Sequence, residues 1–256
     1  MALAVAASAR AEDPPESSAH HLPPAPPQHM MEDMPYAEMA AVMQMDDTRR
    51  FGMMLVDRFE WRDSNAGAAG VWDVRAWYGD DYNRLQLKSE GQRAGGTTRD
   101  AWTELLWDRV VARWWSAQLG VRQDFGEGPA RTWLALGVEG LAPYWLDAEA
   151  TLYVGDQGRT AARLRAEYDL LLTQRLIVQP HAELNLYGQA DPRRQIGAGL
   201  SDLDLSLRLR YELRRELAPY VGVVWSRLFS GTADQVRAAG GSSSDVQLVA
   251  GLRIWF

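Results

Sequence analysis

The sequence predicts an all-β protein, an antiparallel transmembrane β-barrel of about twelve strands, preceded by a disordered segment rich in methionine and histidine. Three observations carry that expectation. Apolar and polar residues alternate with period two after Phe51. The connections between alternating runs are by turns short and long. No stretch approaches the roughly 18 uninterrupted apolar residues of a membrane helix.

In chain order, residues 1–11 read as the remnant of a secretory signal. A short apolar run leads to Ala9-Arg10-Ala11, a small-residue cleavage pattern, although the usual positive start is missing. Residues 12–50 read as flexible. PPESSAHHLPPAPPQ has too few apolar groups to offset the entropy of ordering it. HMMEDMPYAEMAAVMQM, residues 29–45, then holds six of the nine methionines, and none lies beyond Met54. Asp33 and Pro35 are helix-start signals, and a short helix there places Met39 and Met43 one turn apart.

From Phe51 to Phe256 the chain reads as barrel. Strands are expected to begin near positions 51, 70, 82, 100, 113, 131, 144, 160, 175, 202, 217 and 245. The clearest is LDLSLRLRYELR, residues 203–214. Leu203, Leu205, Leu207, Leu209, Tyr211 and Leu213 share one side, with Asp204, Ser206, Arg208, Arg210, Glu212 and Arg214 on the other. A helix would scatter those apolar residues around its circumference, whereas a strand gathers them on one face. Leu164, Ala166 and Tyr168 likewise oppose Arg163, Arg165, Glu167 and Asp169, and Leu248, Ala250, Leu252 and Ile254 form a last apolar row. Long connections are expected near 64–69, 91–99, 126–130, 155–159, 188–201 and 230–244, and tight ones near 80–81, 111–112, 140–143, 173–175 and 214–216. Both termini then fall on the short-turn side, as in bacterial outer-membrane barrels. A soluble barrel has the same alternation with the apolar face turned inward. Long strands, strand-end Trp and Tyr, and a polar face full of pairable charges favour lipid outside. On that polar face Arg58, Glu60, Asp73, Arg75, Arg122 and Asp124 join the charges of the later strands as candidates for cross-strand ion pairs.

Three stretches carry a family resemblance. WDVRAWYGDDYNRLQLKSEG (72–91), GLAPYWLDAEATLYVGDQGRTAARLRAEYDLLLTQRLIVQPHAELNLYG (140–188) and GLSDLDLSLRLRYELRRELAPYVGV (199–223) resemble the copper resistance protein B family. The resemblance implies an outer-membrane barrel with a methionine-rich periplasmic segment, acting in bacterial copper tolerance. Relatives often repeat Met/His/Asp motifs ahead of the barrel, whereas this chain has one irregular cluster.

The chemistry of that cluster agrees. Thioethers suit Cu(I) and imidazole also serves Cu(II), and a thioether has no proton to lose on binding. His29, Met30, Met31 and Met34 form one candidate copper set, and Met39, Met43 and Met45 a second. The competing reading makes these methionines adaptable apolar packing. Met53 and Met54 are weaker candidates, since alternation turns them to opposite faces. The expected partners are copper ions, outer-membrane lipid and periplasmic copper-handling proteins. The alternative function is a channel for small polar solutes with the N-terminal segment as plug. A formal charge of −7 argues against nucleic acid, and the absence of cysteine removes thiolate sites. His181, the one histidine after Phe51, is expected to be a hydrogen-bonded luminal residue, with a secondary metal role open to it. Pairing it with Ser206 gives no complete nucleophile–base–orienter set, so no enzyme is expected.

Overall fold

The computed structural model describes residues 49–64 and 67–256, together with Pro35, Glu38 and Met39. The chain divides into two units, Met1–Asp46 and Asp47–Phe256. In the first, the backbone N–H groups of Glu38 and Met39 both donate to the Pro35 carbonyl, at 2.9 and 3.0 Å, and Glu38 and Met39 are helical. The helix expected after Pro35 therefore starts there. His29, Met30, Met31, Met34, Met43 and Met45 lie outside the described residues.

The second unit is antiparallel sheet throughout. Its strands are β1 (Phe51–Ser64), β2 (Gly67–Gly79), β3 (Asn83–Ala94), β4 (Thr97–Ala112), β5 (Trp115–Gly126), β6 (Arg131–Ala142) and β7 (Leu146–Gly155). There follow β8 (Thr160–Glu167), β9 (Leu170–Leu171), β10 (Leu176–Tyr187), β11 (Gly199–Tyr211), β12 (Leu217–Leu228) and β13 (Ser244–Trp255), with one helix, α1 (Ser230–Ala238), between the last two. Each strand pairs with its sequence neighbour, and β13 returns to β1, pairing Trp61 with Ala250. The seam continues to the last residue, where Met54 and Phe256 exchange backbone bonds of 3.1 and 2.8 Å. The short β9 continues β8 along β10, so the ring has twelve positions. The interruption lies opposite Pro180, which accepts from the Tyr168 N–H at 3.1 Å but has no N–H to return.

The faces are those of a membrane barrel. On β11, Leu207 is 49% exposed and Arg208, the next residue, 2%. Along the ring Leu87, Leu105, Leu119, Leu136, Leu152 and Val221 are exposed, while Lys88, Glu104, Glu149, Arg163 and Arg165 are buried. A soluble barrel would invert this, because water outside and ionised groups inside a dry core are both unfavourable to it. In lipid the same arrangement hides the charges and leaves no sheet edge unpaired. Phe51, Tyr78, Tyr82, Trp114, Tyr144, Trp145 and Trp255 are exposed at the short-turn end, an aromatic collar of the kind found where lipid headgroups begin. Leu205, midway along β11, is 39% exposed. Leu205→Arg is expected to lower barrel stability by about 2–4 kcal/mol, the cost of an arginine near the bilayer midplane. Urea unfolding in bilayers reads this directly, and an unchanged midpoint would refute the assignment of faces.

Two connections differ from expectation. The stretches near 64–69 and 91–99 are mostly strand: β1 runs to Ser64 and β2 begins at Gly67, and only Gly95 and Gly96 separate β3 from β4. Gly95 and Gly96 have φ of 59° and 84°, the pair of positive angles a two-residue hairpin needs. At the opposite end, the Asp80 carboxylate accepts the backbone N–H groups of Tyr82 and Asn83, at 2.9 and 2.7 Å. Those bonds to the charged form hold its pKa below the ordinary aspartate value.

Candidate functional site

Small barrels fill their interior with side chains, and this one fills it with charge. Arg165 on β8 donates to Glu183 on β10 and to Glu90 on β3, each at 2.7 Å, and lies 3.8 Å from Asp73 on β2. β2 stands six positions from β8 in a ring of twelve, so this guanidinium joins opposite walls. Beside it, Lys88 reaches from β3 to Glu139 on β6 and Glu149 on β7, at 2.8 and 3.0 Å. Gln118 joins that group through Glu139 at 2.7 Å and Asp108 at 3.1 Å. The lumen is crossed at mid-height by charged side chains in contact.

Toward the long-loop end, Glu104 accepts from Tyr153 at 2.6 Å and from Arg163 at 3.1 Å. The Arg163 guanidinium stacks 4.2 Å from the Trp102 ring, and Arg122 lies 4.9 Å from it. Trp133 donates to Asp124 at 2.7 Å, closing an aromatic and ionic layer. Glu60 on β1 accepts from Arg208 on β11 at 3.2 Å and from Tyr220 on β12 at 2.9 Å.

The loops at the long-loop end are tied to one another and to the barrel wall. The β10–β11 connection reaches β4 and the β5–β6 loop through Arg194, which donates to Asp100 and to the Pro129 carbonyl, both at 3.0 Å. Arg131 holds Asp191 of the same connection at 2.7 Å. Behind it, Thr232 of α1 accepts from the Gly197 N–H at 2.8 Å, and Gln235 donates to the Ile196 carbonyl at 3.2 Å.

A model of the family described as copper resistance protein B precursor matches residues 50–256, which is nearly the whole barrel. The chain belongs to the copper resistance protein B family. The copper resistance protein B homolog of Pseudomonas syringae pv. tomato is 47% identical over 213 residues, covering 83% of this chain and 72% of that protein. Copper resistance protein B of Escherichia coli is 48% identical over 204 residues, covering 80% and 69%. In three dimensions the barrel is similar to the NanC porin, with TM-score 0.53, 12% identity, and coverage of 78% of this chain and 98% of that one. That likeness is one of fold. The resemblance read from the three stretches is thus established, and the family connects the chain to copper resistance in an outer-membrane type of barrel.

The barrel corrects one expectation about His181. The ring is buried and faces the lumen, in register with Glu167 and Ser206, but its Nε2 has no hydrogen-bond partner among the described residues. Ser206 is held by Arg208, which donates to its hydroxyl at 2.6 Å, so His181 and Ser206 do not form a nucleophile–base pair. Of the copper candidates, Met39 is described and half-buried in its own unit. Met53 lines a cavity with Arg210 and Trp255, and Met54 is 43% exposed, which bears out their opposite facing. Among the described residues no group of three or more His, Asp or Glu is arranged to hold a metal ion. Sequence reasoning missed Lys88 and Glu104, the most deeply buried charges. Leu106, also buried, puts an apolar side chain on the luminal face of β4 and blurs the alternation that would have pointed to Glu104.

Proposed function

We propose that this member of the family binds copper as cargo through the thioethers and imidazole of residues 29–45 and keeps it sequestered at the outer membrane. The observation that carries this reading is the confinement of six of nine methionines to seventeen residues ahead of a barrel of this family. His29, Met30, Met31 and Met34 supply one donor set, and Met39, Met43 and Met45 the other. Thioether donors favour Cu(I), with Cu(II) served by His29. Residues 12–50 act as the periplasmic donor segment after removal of residues 1–11, and periplasmic copper-handling proteins are the source of the ion. The cross-lumen contacts of Arg165 support sequestration over free conduction of solutes. No catalytic step is assigned.

Metal analysis of the purified full chain beside one lacking residues 12–50 tests this. Stoichiometric copper is expected in the first and loss of it in the second. Equal copper in both would place the ion in the barrel and overturn the assignment.

A further inference from the structure

Among the described residues most luminal arginines are matched by carboxylates, but at the short-turn end three exposed arginines of the turns, Arg175, Arg214 and Arg215, are not. A cavity of about 790 Å³ opens there between β9, β10, β11 and β13. Five guanidinium groups line it, from Arg175, Arg210, Arg214, Arg215 and Arg253, against two carboxylates, Asp169 and Glu212. Asp169 accepts from Arg210 Nη2 at 2.7 Å, and Arg253 lies 2.8 Å from Asp57. Among the described residues no carboxylate pairs with the side chains of Arg175, Arg214 or Arg215.

Arg210 sets this cavity apart from a merely basic rim. It is 2% exposed, and its Nε and Nη1 have no hydrogen-bond partner among the described residues. A buried guanidinium with unsatisfied N–H groups is costly; these two groups have no open surface, so a turn of the Arg210 side chain toward the cavity would bring them onto an anion there and relieve that cost. Arg175, Arg214 and Arg215 are exposed, on the turns that bound the cavity, and can close on an ion held by Arg210. A tetrahedral oxyanion accepts from several guanidinium groups at once, which a single carboxylate with two oxygens does less well. Leu171 and Ile177 give the cavity one apolar wall, a surface for the glycerol end of a lipid headgroup.

We propose that this cavity is a binding site for a phosphate-type oxyanion, free in solution or carried by a membrane phospholipid. The site is independent of the copper donors, so its failure would leave the copper reading untouched. Inorganic phosphate is titrated calorimetrically into the full chain in lipid-free detergent at low salt, where such contacts are least screened. Saturable binding at one site is expected. Arg210→Gln should weaken it at least tenfold. Arg215→Gln, a turn residue whose loss breaks no ion pair, should weaken it several-fold even if Arg210→Gln perturbs Asp169. Arg84→Gln should leave it unchanged, since Arg84 stacks on Trp77 at 5.0 Å away from this cavity. Heat-modifiable gel mobility confirms that each variant is folded. Short-chain phosphatidylglycerol is then added. Displacement of phosphate supports the site as a headgroup site, and persistence supports it as a free-ion site. Absence of saturable phosphate binding together with absence of phospholipid retention by the unaltered chain overturns the proposal, as does equal affinity in the unaltered chain and both the Arg210 and Arg215 variants.

Discussion

A full chain with Met30, Met31, Met34, Met39, Met43 and Met45 all replaced by leucine is expected to bind Cu(I) more than about a hundredfold more weakly, a loss of about 2.7 kcal/mol or more. Leucine keeps the apolar volume of methionine and removes its sulfur, so packing is conserved while the soft donor is lost. Competition with a chromophoric Cu(I) chelator measures the change. The pH dependence separates the two kinds of donor. A thioether does not titrate, whereas an unperturbed imidazole has a pKa near 6.5 and is protonated at pH 5. Affinity in the unaltered chain should therefore fall little between pH 7 and pH 5. A steep fall, or full affinity in the leucine variant, would shift the site to His29 or out of the segment altogether.

The second large effect is expected from Arg165→Leu. The substitution removes the cation that Glu90, Glu183 and Asp73 share. Breaking a buried pair costs about 3–5 kcal/mol, because the partners remain as uncompensated charges. The temperature of the gel-mobility transition should drop markedly. Adding Glu90→Gln and Glu183→Gln should recover part of the loss, since amides tolerate burial without a counter-ion. The triple variant also lacks the link between β8 and β3. In planar bilayers it should conduct ions more readily than the unaltered chain. Equal conductance in the two would show that this level does not obstruct the lumen and would strengthen the solute-channel reading.

Much of the barrel is legible from residue order because a closed sheet in lipid obeys two strict rules, period-two alternation and no free edge. In β11 every outward position from Leu203 to Tyr211 is apolar or aromatic, so both the strand and its faces can be read directly. Turn chemistry was harder. Gly95 and Gly96 lie in a polar, glycine-rich stretch that reads equally as a long loop, and only the strands on either side make it a two-residue hairpin. The lumen was legible as a charged face but not as a set of pairs. Glu104 and Arg163 are 59 residues apart, and nothing local in either strand indicates that they meet. The methionines proposed as copper donors are read from composition alone, from their concentration in one polar, proline-flanked segment.

The pairing of β1 with β13 has a kinetic meaning. Its partners, such as Phe59 and Leu252, lie almost as far apart in sequence as the barrel allows. Every other strand pair is a near neighbour along the chain and can assemble as a hairpin, at a modest loop-closure cost. The β1–β13 ladder gains nothing until all the intervening hairpins are in place. It is therefore expected to zip last, and until it does, two long unpaired edges remain open to capture by another chain. The rate of that last step sets how long the chain is exposed to aggregation on its way into the membrane.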